Sequence, residues 1–294
     1  MSVVARRRVA SRAIRLDRSL EALPLFRLSD SADDAVIDYG DAEGGRWRVI
    51  PSPGDRLPGT FDQDVYVELF RRFHEGGDPI DGVITFTLHA FLRAMGRRVD
   101  GRTYEQLRAA LSRLERTTLE SQGIYESVAA GARGDVGGVA SGPRGDMRFT
   151  LLTSVAVERR RTLDREQLPL FDAMTTAEPG VARIVLSSVV RDNLAADHVV
   201  ILSASSYWAL GSPVARRLYR LLEVARADGR LTWRIALDKL AEQLPLAQRY
   251  PSHLQRVLQP AHDMLVEQGI LRNAAIRQQN REWYVDYMLG SRPA

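Results

Sequence analysis

The chain has 294 residues, 45% of them hydrophobic, and carries 41 lysines and arginines against 37 acids for a formal net charge of +4. That length allows about two domains, and the apolar content is enough for real cores. The lack of cysteine excludes disulfides, cysteine zinc sites and thiol catalysis, and neither a membrane-length apolar run nor a secretory signal is present, so a cytoplasmic protein without a cofactor is expected.

Residues 1–18 carry Arg6, Arg7, Arg8, Arg12, Arg15 and Arg18 and little apolar surface. With the stretch to residue 35 they read as a basic arm, either laid along DNA phosphates or solvated as a tail. Leu23-Pro24-Leu25-Phe26 is an isolated apolar knot inside it. Residues 36–39 and 46–50 read as a hairpin, and 51–58 as a loop.

A longer unit follows. Tyr66, Leu69, Phe70 and Phe73 have helical spacing, 83–86 is a short β-like run, and 88–95 is a second helix. Then comes GRTYEQLRAALSRLERTTL at 101–119, with Tyr104, Leu107, Leu111 and Leu114 on one face and Gln106, Arg108, Ser112, Arg113 and Arg116 on the others. Thr103 is the expected N-cap, and Thr117-Thr118 starts a strand. Residues 129–146 are Gly-rich and read as a flexible loop at a wing tip, which either touches nothing or brings Arg133, Arg144 and Arg148 to a minor groove, the first being the preferred reading. Residues 147–157 read as a strand, 159–180 as an exposed excursion, and 181–190 as a further β-like run.

The same order returns from about residue 198. It comprises a helix over 214–225, a turn at Asp228-Gly229, a strand over 231–235 and a helix over 236–244. YPSHLQRVLQPAHDMLVEQGIL follows at 250–271. Leu254, Val257, Leu258, Ala261, Met264 and Leu265 form its apolar stripe, Ser252 is the expected cap, and His253, Gln255, Arg256 and Gln259 lie outside. Pro260 removes a backbone hydrogen bond within this helix and should kink it. A hairpin of 274–278 and 283–288 closes the chain. Helix, short strand, helix, second helix and β segment is the order of a winged helix, and it occurs twice. The expected fold is therefore α+β, with tandem winged-helix domains arising from internal duplication. The boundaries are 1–35 for the arm, 36–198 for the first domain and 199–294 for the second.

The two long helices are the candidate DNA readers. Lys239 is the only lysine, so nearly all the positive charge is arginine, which pairs bidentately with phosphate and guanine. Arg108, Ser112, Arg113 and Arg116 from the first helix, and His253, Gln255, Arg256 and Gln259 from the second, are placed at base edges. Arg102 and Arg249 precede the helices and are assigned to phosphate. Helices in successive major grooves, about 10 base pairs apart, would cover roughly 20 base pairs of double-stranded DNA. Catalysis is not expected. No phosphate-binding loop surrounds Lys239, no metal pair is found among the histidines at 74, 89, 198, 253 and 262, and no acid/base carboxylate pair stands out. His253 and His262 are read as lying on roughly the same helix face.

The chain resembles plasmid replication initiators with two winged-helix domains, in particular the replication initiator protein A family. The resemblance lies in GRTYEQLRAALSRLERTTL at 101–119, SPVARRLYRLL at 212–222 and RVLQPAHDML at 256–265. Resembling initiators carry a proline at the place of Pro260, which keeps this helix as one bent piece. The resemblance implies binding to directly repeated origin sites, opening of adjacent AT-rich DNA and recruitment of host replication proteins such as a host initiator or helicase. It also implies a homodimer that represses its own gene. A second reading is a winged-helix transcriptional regulator without a replication role, and a third is an interaction module that binds no DNA. Gln167-Leu168-Pro169-Leu170-Phe171 looks like the Gln-Leu-x-Leu-Phe motif by which bacterial proteins dock on the replicative sliding clamp. Leu170 and Phe171 would fill a pocket, Gln167 would anchor beside it, and Pro169 holds Leu168 extended. The alternative is that Leu168, Leu170 and Phe171 tuck against a domain surface.

Overall fold

The computed structural model describes residues 13–28, 36–128, 145–157, 181–247 and 250–291, which form a mixed α/β fold. Within the stretch expected as a basic arm, residues 13–28 are packed structure instead, while 1–12 and 29–35 lie outside the described residues. Strand β1 (Ala13–Asp17) buries Ile14 and Leu16 on one side, as the two-residue period of a strand requires. Arg15 lies between them and binds Asp197 at 2.6 Å and Asp78 at 3.3 Å. Helix α1 (Arg18–Ala22) follows, capped by the Asp17 carboxylate, which accepts from the amides of Ser19 and Leu20 at 2.8 and 3.2 Å. The apolar knot is core, since Leu23, Leu25 and Phe26 are buried and the Trp47 indole donates to the Pro24 carbonyl at 2.8 Å.

The hairpin β2 (Ile37–Gly40) and β3 (Arg46–Ile50) forms as expected. Helix α2 (Thr60–Glu75), strand β4 (Val83–Thr87), and helices α3 (Leu88–Ala94) and α4 (Gly101–Arg116) follow in the expected order. Asp100, not Thr103, caps α4. Its carboxylate accepts from the Thr103 amide at 2.9 Å while the Thr103 hydroxyl accepts from the Asp100 amide at 3.1 Å, a reciprocal box that needs both residues.

The strand expected over 147–157 is two strands in two sheets. β5 (Thr118–Gln122) and β6 (Met147–Phe149) join the N-terminal hairpin in the order β2-β3-β5-β6. β7 (Leu152–Val157) pairs instead with β8 (Val181–Leu186), which also pairs with β4. The hairpin that closes on β4 is therefore β7–β8, and the Gly-rich stretch 129–146, most of it outside the described residues, connects β5 to β6. The β run expected over 181–190 ends at Leu186, because Ser187 takes the N-cap position of helix α5 (Ser188–Ala195). Strand β9 (Val199–Ser203) pairs with β1, and helix α6 (Ala204–Ala209) comes after it.

The C-terminal region matches expectation closely. It comprises α7 (Pro213–Ala227), β10 (Thr232–Ala236), α8 (Leu237–Gln243), α9 (Pro251–Glu267), β11 (Leu271–Gln279) and β12 (Glu282–Leu289), with sheet order β10-β12-β11. α9 runs unbroken through Pro260, which is exposed. Ser252 does not cap it; Tyr250 holds the N-cap place without a side-chain bond, and Pro251 is the first helical residue, where a missing amide hydrogen costs nothing.

Buried arginines join the two halves. Arg217 and Arg220 of α7 both reach Glu21 of α1, at 3.3 and 3.0 Å. Arg220 also donates to Gln63 of α2 at 2.7 Å, and the Tyr66 hydroxyl to Glu21 at 2.8 Å. Burial, and the neighbouring charge of Arg220, push the Arg217 guanidinium down to about 10. Removing Glu21 would leave two buried cations uncompensated, a far larger penalty than losing a surface pair.

Candidate nucleic-acid interface

Helix α4 buries Leu107, Ala110, Leu111 and Leu114, which leaves Arg102, Glu105, Gln106, Ala109 and Arg116 in solvent. Arg108 is half-buried and held by Glu105 at 2.6 Å. Arg116 donates to the Ser112 hydroxyl at 2.6 Å, so these two expected site residues act as a pair on the outer surface. The outward carboxylate of Glu105 weakens the attraction this face has for a polyanion.

Arg113 is a correction. Its guanidinium meets the Asp62 carboxylate twice over, Nη2 to Oδ1 at 2.8 Å and Nε to Oδ2 at 3.2 Å, and its side chain is only 13% exposed. Asp62 is 2% exposed and also accepts from the Gly59 amide at 2.6 Å, so it caps α2 at the same time. Reaching a base would strand a buried carboxylate, so Arg113 ties α4 to α2 instead. Nothing in the local sequence of either helix reports this pair, since its members lie 51 residues apart.

Helix α9 presents a cleaner surface. Ser252, His253, Arg256, Gln259 and Pro260 are exposed, and Gln255 is half-buried. Arg256 forms no ion pair among the described residues. Gln259 donates to Asp263 at 2.8 Å, which orients its amide along the helix. Tyr250, 72% exposed, stands edge-on to His253 with ring centres 5.9 Å apart. Arg249 lies outside the described residues, as do Gln167, Leu168, Leu170 and Phe171. His262 does not share the face of His253. Nine helical steps turn through about half a circle beyond whole turns, and His262 is 2% exposed, its Nε2 bonded to the Tyr287 hydroxyl at 2.9 Å. Burial pushes its imidazole down to about 4.

Sequence reasoning passed over three kinds of residue on these surfaces. Gln106 is fully outward on α4, Tyr250 stands before α9, and Arg272, Arg277 and Arg281 are exposed on the β11–β12 hairpin. Helical spacing marks Gln106 as outward; no sequence period marks the hairpin arginines, since Arg272 and Arg277 are five residues apart and Arg281 lies in the turn. Among the described residues no group of three or more acids and histidines could hold a metal, and no helix is long and apolar enough to cross a membrane.

The architecture is shared with domains 2 and 3 of RctB, whose crystal structure covers 91% of this chain and 95% of that one at a TM-score of 0.57 and 11% identity. The Pi initiator protein in complex with iteron DNA aligns over 96% of this chain and 99% of that one at a TM-score of 0.49 and 11% identity. Residues 15–135 match the family Replication initiator protein A, which shows the resemblance read from the sequence. A putative replication protein of Wigglesworthia glossinidia brevipalpis is 32% identical over 80 residues, a stretch that spans 26% of this chain and 29% of that protein.

Proposed function

We propose that this protein is a replication initiator that binds origin repeats in double-stranded DNA through two winged-helix domains related by duplication. The observation that carries the proposal is the repeated order of helix, strand, short helix and long helix, in α2-β4-α3-α4 and again in α7-β10-α8-α9, each time ending in a long helix with a polar outward face. A closing hairpin pairs with the short strand in both regions, β7–β8 with β4 and β11–β12 with β10. The family match over residues 15–135 supports a role in replication over transcriptional control alone.

In this reading the first domain spans 36–198 and the second 199–294. Base contacts come from Ser112 and Arg116 of α4, with Arg108 at its flank, and from His253, Gln255, Arg256 and Gln259 of α9. Arg102 and Arg249 meet phosphates. The protein works by binding, as a DNA-associated partner of host replication proteins, and its dimeric form represses its own gene. The segment with Gln167, Leu168, Leu170 and Phe171 docks on the sliding clamp, and a pull-down with purified clamp, comparing wild type with Leu170→Ala plus Phe171→Ala, tests that step separately.

Footprinting on the DNA upstream of the protein's own gene tests the main reading. Protection of directly repeated sites of roughly 20 base pairs, with hypersensitivity in adjacent AT-rich DNA, is expected. Protection of a single inverted site without any opening would favour a transcriptional regulator, and no protection would overturn both.

A further inference from the structure

A cavity of about 360 Å³ opens where β5 begins, β6 turns into β7, and α5 starts. Thr118, Arg148, Thr150, Thr153, Ser187 and Ser188 line it together with the apolar Phe149 and Val189, and among the described residues no carboxylate does. Helix α5 makes its first bond from the Arg191 amide to the Ser187 carbonyl at 3.1 Å. The amides of Ser188, Val189 and Val190 precede that ladder and carry the positive end of the helix.

A serine at the N-cap ordinarily accepts from one of these amides. Ser187 has the N-cap backbone, φ −63° and ψ 148°, but makes no side-chain cap bond. It is 4% exposed, and its Oγ is buried without a partner among the described residues. A buried hydroxyl left unsatisfied is uncommon, because it forfeits its bonds to water. Two of the three neighbouring threonines are already committed, Thr150 donating to the Leu152 carbonyl at 2.8 Å and Thr153 to that of Val185 at 3.4 Å. Arg148 is 69% exposed and lies 3.5 Å from Glu120, a carboxylate that Arg48 holds more closely at 3.0 Å. The guanidinium therefore keeps charge to offer at the cavity mouth.

We propose that this cavity binds a phosphate group, held by the Ser187 and Ser188 hydroxyls, the first amides of α5 and the Arg148 guanidinium. A helix start, one buried hydroxyl left unpaired, an exposed serine beside it and one arginine together match the needs of a tetrahedral oxyanion. The site is separate from the outward faces of α4 and α9. The phosphate comes either from a free phosphate or mononucleotide, or from the DNA backbone.

The test is a titration of the nitrogen-15-labelled full chain with inorganic phosphate at constant ionic strength, following the amides of Ser188, Val189 and Val190. Saturable shifts that chloride does not reproduce are expected. Ser187→Ala and Arg148→Gln should each weaken binding about tenfold, the loss of one charge-assisted hydrogen bond. If the backbone of DNA is the source, phosphate competes with DNA, and Arg148→Gln lowers the slope of log affinity against log salt by about one. If the source is a free phosphate, a mononucleotide binds at least as tightly as phosphate, and DNA affinity is unchanged by Arg148→Gln. Linear shifts that chloride matches, or binding that both variants leave intact, overturn the site. So does a loss of DNA affinity in Arg148→Gln without saturable phosphate shifts, because Arg148 would then act only as a surface charge.

Discussion

Helices α4 and α9 stand at the same place in two runs of elements, yet one arginine of each has an opposite role. Arg113 of α4 turns inward to the buried Asp62, whereas Arg256 of α9 stays in solvent. The chain after each helix also diverges. From α9 it returns directly as β11 and β12 onto β10; from α4 it first crosses into another sheet as β5 and β6, and only then supplies β7 and β8 to β4. A repeated order of elements therefore does not carry residue roles with it. The residue packed opposite a helix decides which of its polar positions remain free to bind.

Breaking the inward tie should give the largest effect. Arg113→Ala leaves Asp62 buried and short of its partner, and stability in urea should fall by about 3–5 kcal/mol. Folded protein should keep its DNA sequence preference. An unchanged stability together with an altered base preference would make Arg113 a base reader like Arg256 and erase the contrast.

Acid sharpens the comparison through two buried groups. His262, in the C-terminal region, is pushed down to about 4 by burial. Its folded value lies below the unfolded one, so the stability it contributes at neutral pH is lost as pH falls from about 6.5 to 4, roughly 3 kcal/mol in all. Asp17, in β1, is pushed up to about 7 by burial, although Tyr125, Asn193 and two amides oppose the rise. Its contribution has the reverse sign: it is fully present below about pH 4 and is lost as pH rises towards 7. Hydrogen exchange corrected for intrinsic rates should show β11–β12 loosening on acidification through this window while β1–β9 tightens. His262→Gln should remove the first trend, and Asp17→Asn the second.

Arg256→Ala should cost about 1–3 kcal/mol of binding to the footprinted sequence if the guanidinium reads a guanine. Its unfolding free energy should stay within about 0.5 kcal/mol of wild type, as for other exposed positions. Fluorescence anisotropy and urea unfolding on the same preparation check both halves. A stability loss like that of Arg113→Ala would show that α9 has an inward tie of its own.

The long helices were readable because each has a strong apolar period and flanking turn residues. β1 is not legible in the sequence, although Ile14 and Leu16 alternate with Arg15. Five residues among many arginines resemble a tail until β9, nearly two hundred residues away, supplies the pairing edge. Residues 147–157 look like one strand in sequence because both halves are β-formers; only the partners, β5 for one and β8 for the other, separate them. The same limit applied at the site. Helical spacing placed Arg256 and His253 outside correctly, but it also placed Arg113 outside, because the carboxylate that captures it belongs to a different helix.

The smallest expected effect concerns the tips of the two closing hairpins. β7 and β8 are joined by residues 158–180, which include Arg159, Arg160 and Arg161, whereas β11 and β12 are joined by Asn280 and Arg281 alone. Both turn residues have positive φ, 51° and 69°. A two-residue turn of this kind favours Asn followed by Gly, and here an arginine takes the glycine place. An arginine held in the left-handed region costs about 1–2 kcal/mol relative to one in ordinary backbone. Arg281→Gly should therefore raise stability by about 1 kcal/mol. If the guanidinium at this tip touches a DNA phosphate, the same change should lower affinity and reduce the salt slope by about one. A gain in stability with no change in affinity would leave the strain without a binding role and remove the second hairpin tip from the interface.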